Sequence, residues 1–154
     1  MRLFLTLPLV LFLSSCGFKV VNQAETIDFS IAEITTSGDK RVGFQIKNKL
    51  VLNKNSNFIK KINISLKANK NKIIKEKNIK NEITKYQIFI DVKVSIIEVN
   101  SLKKLEFTKS ENGVYDVDAQ FSNTIDNEKK LVEVLSASIA EDILDEIILL
   151  MNDL

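Results

Sequence analysis

The chain has 154 residues, 45% of them hydrophobic, with 22 Lys+Arg against 20 Asp+Glu, so length and composition describe one ordinary domain that is neither fibrous nor disordered. It has no His, no Trp and a single Cys, Cys16, which excludes His-based triads, imidazole-ligated metal sites, an internal disulfide and a cysteine zinc cluster. A domain of this size buries roughly 68% of the surface its unfolded chain exposes, enough for a core without disulfides.

At the N-terminus, Arg2 precedes an apolar run over residues 3–13 that only Thr6 and Pro8 interrupt. This has the form of the charged n-region and apolar h-region of a signal peptide, and it is shorter than the roughly 20 residues a bilayer span requires. Leu13-Ser14-Ser15-Cys16 follows at once and resembles the lipobox of bacterial lipoproteins: an aliphatic residue, two small residues that let the extended backbone enter a peptidase site, and a thiol that accepts a diacylglyceryl group. Residues 1–15 are therefore expected to be a lipoprotein signal peptide and residues 16–25 an acylated N-terminus and tether. A single domain over residues 26–154 is expected to follow. The expected non-protein groups are covalent, a diacylglycerol and an N-acyl chain on Cys16, with no cofactor and no metal. At about 0.8 kcal/mol per buried CH₂, two or more chains hold a protein on a membrane durably. An ordinary secretory signal that happens to be followed by Cys is the competing reading.

Beyond the signal, charge is unevenly spread. Residues 40–85 carry fourteen Lys+Arg against Glu76 and Glu82, whereas residues 110–154 carry eleven acids against Lys129 and Lys130. Such halves imply either internal complementarity or a dipolar surface that faces an anionic partner. Lys, Asn and Ile are also what AT-rich codons supply, so an individual lysine reads first as solvated surface.

In chain order, Ile27, Phe29 and Ile31 alternate with Asp28 and Ser30, the period of a half-buried strand, and residues 35–39 are expected to break it. Val42, Phe44, Ile46, Leu50 and Val51 place a helix over residues 40–52, capped by Ser37 or Asp39. Ile62, Ile64, Leu66 and Ala68 give a second strand with a basic polar face. Tyr86, Ile88, Ile90, Val92, Val94 and Ile96 give a third, the clearest in the chain. Between them residues 69–84 are polar and lysine-rich and read as an extended hairpin tip. Residues 102–121 read as a fourth strand with a bulge or bend near Asn112-Gly113, a dipeptide that favours hairpin turns and leaves open two short strands. Leu131, Leu135, Ile139, Ile143, Ile147 and Met151 recur at spacing four, so a final amphipathic helix of roughly 36 Å is expected, with Asp126 as its N-cap. Its acidic polar face favours packing on the sheet over an anionic membrane surface. The order β-α-β-β-β-α predicts an α+β two-layer sandwich: a four-stranded mixed sheet with two helices packed on one face.

The lipobox, Cys16-Gly17-Phe18, this element order and the tail together resemble the LPS-assembly lipoprotein family (LptE), although the last helix is more acidic than the family pattern. The corresponding local elements are a basic hairpin before Lys85-Tyr86-Gln87-Ile88, Tyr115-Asp116-Val117 at a strand end, and Ile139-Ala140-Glu141-Asp142-Ile143 in the helix. The resemblance implies no enzymatic activity. It implies an outer-membrane lipoprotein that assists assembly of, and plugs, the lipopolysaccharide-transport β-barrel (LptD-like) and binds lipopolysaccharide as it passes. Gly17, rather than Asp, after the cysteine agrees with the outer-membrane sorting of enterobacterial lipoproteins. The same resemblance assigns lipopolysaccharide phosphates to Lys75, Lys77, Lys80 and Lys85, each acting as a point charge. Lysines here replace the family's usual arginines, so bidentate phosphate recognition is not expected.

The alternative is another envelope lipoprotein, one that binds peptidoglycan or an envelope protein. A hydrolase is disfavoured by the lack of G-x-S-x-G or a paired-carboxylate pattern, so no catalytic residue is expected, and nucleic-acid binding conflicts with export. Cys16→Ala is expected to abolish metabolic labelling with a fatty-acid analogue and to leave an unprocessed or unanchored chain. Persistent labelling of that variant excludes acylation at Cys16.

Overall fold

The computed structural model describes residues 29–52 and 60–152. The elements are β1 (Phe29–Gly38), α1 (Lys40–Leu52), β2 (Lys60–Lys77), β3 (Ile83–Glu98), β4 (Lys104–Asp116) and α2 (Phe121–Asn152). The strands form one sheet in the order β1-β2-β3-β4, with β1 parallel to β2 and the other pairs antiparallel, and both helices cover the same face. The expected α+β sandwich with order β-α-β-β-β-α is therefore the fold observed. The lipobox residues Leu13, Ser14, Ser15 and Cys16, the tether and Ile27 lie outside the described residues.

Alternation builds the inner face. Ile62, Ile64, Leu66 and Ala68 of β2 and Ile88, Ile90, Val92, Val94 and Ile96 of β3 are all buried beneath the helices. A register shift between Ile31 and Glu33 brings both Ile31 and Ile34, three residues apart, to that face from β1. From above, α1 supplies Val42, Ile46 and Leu50 and α2 supplies Leu135, Ile139, Ile143 and Ile147. Each fully buried side chain of this kind contributes roughly 1.5–3 kcal/mol. Phe44 and Val51, assigned by sequence to the packed face of α1, are exposed at 63% and 44% because only the spacing-four row 42, 46, 50 points at the sheet.

Several boundaries differ from the sequence expectation. Residues 35–38 do not break β1: their backbone pairs with β2 up to Gly38↔Ala68, and the hydroxyls of Thr35 and Ser37 donate to the β2 carbonyls of Ile64 and Leu66. Gly38 makes the turn into α1. Its φ is +85°, and a Cβ there would lie 2.0 Å from the Ala68 carbonyl oxygen, so only glycine fits. Asp39 then caps α1, its Oδ1 accepting from the N–H groups of Arg41 (3.1 Å) and Val42 (3.0 Å).

The hairpin between β2 and β3 is not irregular over residues 69–84. The strands stay paired as far as Lys77↔Ile83, so the tip is only residues 78–82. Nor does Asn112-Gly113 turn the chain, because β4 is one strand from Lys104 to Asp116 without a register shift. The glycine has a packing reason: a Cβ at Gly113 would come within 2.6 Å of Leu131 Cδ1, so α2 rests there directly on the strand backbone.

α2 begins at Phe121, five residues ahead of the expected cap Asp126, and its 32 residues span roughly 48 Å. Its start is set by polar contacts rather than by the apolar row. Asp118 Oδ1 accepts from the N–H of Gln120 (2.8 Å), while Thr124 Oγ1 accepts from the N–H of Asp118 (2.9 Å). Asp126 instead pairs with Lys129 on the helix surface. Since Ile143 is fully buried between α2 and the sheet, Ile143→Asp is expected to destabilise the domain by several kcal/mol, through an unpaired buried carboxylate. A thermal melt checks this, and an unchanged midpoint would mean that the face is not core.

Candidate functional site

The inner face of β2 changes character after Ala68. The next two residues on that face, Lys70 and Lys72, lie past the end of β1, where Gly38 pairs with Ala68, and they meet the first turns of α2. Glu128 receives both ammonium groups, at 3.6 Å from Lys70 and 2.7 Å from Lys72, and Tyr115 Oη donates to the same carboxylate at 2.8 Å. Tyr115 stacks on Tyr86 with ring centroids 5.6 Å apart, and Lys72 Nζ sits 4.3 Å from the centre of the Tyr86 ring. Four elements thus converge on one half-buried polar cluster.

The electrostatics agree with this geometry from both sides. Partial burial acts to raise the Glu128 pKa, but the hydrogen bonds from Lys72 and Tyr115 and the charges of Lys72 and Lys70 outweigh it, so the carboxyl is held below its ordinary range. Burial likewise acts to lower the Lys72 pKa and is outweighed by Glu128 and Tyr115, so the ammonium is held above its ordinary range. Burial, with help from Glu128, raises the phenol of Tyr115. This cluster was not foreseen, because Lys72 and Glu128 are 56 residues apart and no local pattern links them.

Beyond the cluster the hairpin carries the four lysines singled out by sequence. Asn78 organises the tip: its Oδ1 accepts from the N–H groups of Lys80 (2.9 Å) and Glu82 (3.0 Å) and its Nδ2 donates to Glu82 Oε2 (2.7 Å). Asn81 takes φ +64°, a conformation asparagine tolerates, and its Oδ1 accepts from Lys77 Nζ at 3.0 Å. The side chains of Lys75 and Lys80 have no partner among the described residues. Ile79, between Lys77 and Lys80, is fully exposed at 103%.

Lys85 departs from the other three. It lies on the sheet face opposite the helices and forms an ion pair with Glu76 at 2.9 Å. The hydrogen bond and charge of that pair lower the Glu76 pKa and raise that of Lys85. Of the four predicted lysines, Lys80 lies in the tip, Lys77 ends the strand beside it, Lys75 lies two residues earlier on β2, and Lys85 is already neutralised by a neighbour. The pairing follows from the register Glu76↔Lys85, which two bulges at Ile74/Glu76 and Glu76/Lys77 create, so alternation counted along β2 alone does not reveal it.

The Glu128 cluster has a pH signature. A carboxyl whose folded pKa is depressed contributes stability above its unfolded value of about 4.5 and loses it as pH falls through the folded value. The raised Lys72 contributes below about 10.5 and loses its contribution as pH rises through its folded value. Glu128→Gln is expected to cost no more than about 1 kcal/mol near neutrality, because the groups are partly solvated, and to flatten the fall in melting temperature below pH 4.5. Melts of both proteins from pH 3 to 7 measure it, and parallel curves would show that the cluster is not ionised as described.

No protein-family model matches the chain, and no curated protein matches it either. Solved structures do. Rare lipoprotein B from Shewanella oneidensis superposes with a TM-score of 0.57 at 14% identity, over 79% of this chain and 97% of that one. The solution structure of an uncharacterized lipoprotein B from Nitrosomonas europaea gives 0.52 at 18% identity, over 88% and 93%. A minor lipoprotein from Acinetobacter baumannii gives 0.50 at 14%, over 75% and 91%. At such identities the likeness is one of fold: the four-stranded sheet under two helices is an architecture that these lipoproteins and this chain share.

Proposed function

We infer that this chain is a lipid-anchored envelope lipoprotein of lipopolysaccharide assembly, held in the lumen of an LptD-like outer-membrane β-barrel, with its hairpin tip receiving the phosphates of lipid A. The observation that carries the reading is the make-up of the tip. Lys77 and Lys80 stand on either side of the fully exposed Ile79 in sequence, and Lys75 lies on the strand that leads to it; cationic residues beside an apolar side chain suit an anionic amphiphile, with phosphates on the ammonium groups and acyl chains on Ile79. Further support comes from the lipobox at Cys16 and from the fold shared with rare lipoprotein B. Among the described residues no helix is long and apolar enough to cross a membrane, so in this reading attachment falls to the acyl chains on Cys16. Lys85 plays a lesser part, since its charge is shared with Glu76.

A second reading, a peptidoglycan-binding lipoprotein, draws on the uncovered face of the sheet. There Asn69, Asn71, Phe89 and Asp91 line a shallow depression, and amide and carboxyl groups beside an aromatic ring suit a saccharide. A pull-down from detergent-solubilised outer membrane separates the two, because only the first requires a barrel partner.

Changing Lys75, Lys77 and Lys80 together to Gln is expected to weaken lipopolysaccharide binding roughly tenfold, since exposed charges contribute about 0.5 kcal/mol each and 1.4 kcal/mol is a factor of ten. The loss shrinks as salt rises, and the melting temperature stays unchanged. Adding Lys85→Gln adds little. The comparison set is Lys40, Lys61 and Lys67, also exposed but away from the tip. Equal loss from both sets would mark a nonspecific charge effect, and no loss from either would refute lipid recognition at the tip.

A further inference from the structure

The uncovered face of the sheet changes chemistry along the hairpin. Three successive rows cross β2, β3 and β4 there: Asn69↔Asp91↔Ser110, Asn71↔Phe89↔Asn112 and Ile73↔Gln87↔Val114. Of these nine positions only Asp91 is charged, whereas the rows on either side carry Lys67 with Lys93 and Glu76 with Lys85. A face kept in water by lysines and carboxylates thus gives way to amides around one aromatic ring.

Phe89 is the half-buried centre of this grid, with Asn71 and Asn112 across from it and Gln87 and Asp91 beside it along the strand. Next to it lies a depression of about 490 Å³, which Ile73, exposed at 42%, borders on the side of the tip. β1 ends at Gly38↔Ala68, so among the described residues no strand lies beyond β2 at these rows, and the depression opens sideways. Two hydrogen bonds fix the far side of the grid. Gln87 Nε2 donates to Asn112 Oδ1 at 3.0 Å, and Ser110 Oγ donates to Asp91 Oδ1 at 2.7 Å. Each leaves capacity to spare, in the amide N–H groups of Asn112 and in the second oxygen of Asp91. The amides of Asn69 and Asn71 have no partner among the described residues. Amides both donate and accept, as sugar hydroxyls do, and an aromatic face takes the C–H face of a sugar ring.

We propose that this grid binds the sugar chain of lipopolysaccharide, so that the hairpin holds two subsites for one ligand: ammonium groups at the tip for the phosphates and the amide face for the saccharide. The inference rests on the lipopolysaccharide reading and gives the depression a different occupant from peptidoglycan. Position selects that occupant. Phe89 stands six residues along β3 from Ile83, the partner of Lys77 at the tip, which is about 20 Å, and Lys85 lies on the same face between them. A ligand with phosphates at one end and sugars running on from them spans both places, whereas a peptidoglycan strand leaves the cationic tip unused. In a barrel lumen the grid then borders the passage rather than the wall.

The test measures binding of three probes to the full chain in detergent: complete lipopolysaccharide, lipid A stripped of sugars, and a muropeptide from peptidoglycan. The wild-type chain binds complete lipopolysaccharide roughly tenfold more tightly than lipid A, because the second contact is made within an already bound ligand. Phe89→Ala brings that ratio to about one and leaves lipid A binding unchanged, while Phe89→Tyr, which keeps the ring, preserves it. Asn71→Ala, an exposed change that spares the core, lowers the ratio about threefold. The ratio holds as salt rises, since neutral groups make it, whereas lipid A binding weakens. Changing Lys75, Lys77 and Lys80 to Gln weakens both ligands by the same factor and leaves the ratio in place. A wild-type ratio of one, or equal loss of both ligands from Phe89→Ala and Asn71→Ala, overturns the proposal. A muropeptide that displaces lipopolysaccharide from the wild-type chain and loses its own binding in Phe89→Ala assigns the grid to peptidoglycan and also overturns it. Failure of the tip reading is distinct: lipid A then binds the triple-lysine variant as well as the wild type, while the sugar chain released from lipopolysaccharide by mild acid still binds in a Phe89-dependent way.

Discussion

The fold depends on where the apolar alternation of β2 stops. From Ile62 to Ala68 every second residue is buried beneath the helices, and this row, with the matching row of β3, is the surface on which α1 and α2 close. Two residues later the same face is occupied by Lys70 and Lys72, which cannot enter an apolar layer without partners. The structure meets that constraint by extending α2 toward its N-terminus, so that Glu128 is carried out over the sheet. The helix is therefore longer than its apolar row requires, and its first turns serve the lysines instead of the core. Hairpin, helix start and strand end are coupled at this one place.

The charge asymmetry of the chain is resolved in two ways along its length. Near the core it is internal: Lys70 and Lys72 use Glu128, and Lys109 uses Glu146, each a base of the sheet meeting an acid of the last helix. Beyond the cluster Lys75, Lys77, Lys80 and Lys85 outnumber Glu76 and Glu82. Lys75, Lys77 and Lys80 stand past the reach of α2 and retain an unbalanced positive field, which is the physical basis for assigning an anionic ligand to the tip.

Element types were legible because the period-two and spacing-four signals of Ile88–Ile96 and of Ile139–Ile147 survive any tertiary context. The boundaries were less so. Asn112-Gly113 carries the local signature of a turn, yet the glycine answers to Leu131 on a distant helix, and the strand runs straight through. The start of α2 depends on Asp118 and Thr124 bonding to backbone groups, which leaves no mark in hydrophobic spacing. The candidate lysines were visible as a cluster of charge, but the separation of Lys85 from the others comes from a cross-strand register, and the Glu128 cluster from contacts between residues far apart in sequence.

The register shifts near the end of β2 have a mechanical consequence. From Ile62 to Ile74 the pairing with β3 is continuous, and both irregularities fall in the last residues before the tip, at Ile74/Glu76 and Glu76/Lys77. A bulge leaves a residue unpaired and lets the strand bend and twist locally. The long hairpin thus behaves as a stiff forearm with a wrist: its base is fastened by the Glu128 cluster, and bending is confined to the few residues that carry Lys77, Ile79 and Lys80. A load taken at the tip can reorient those groups without disturbing the sheet, which separates compliance at the end of the hairpin from rigidity at its base.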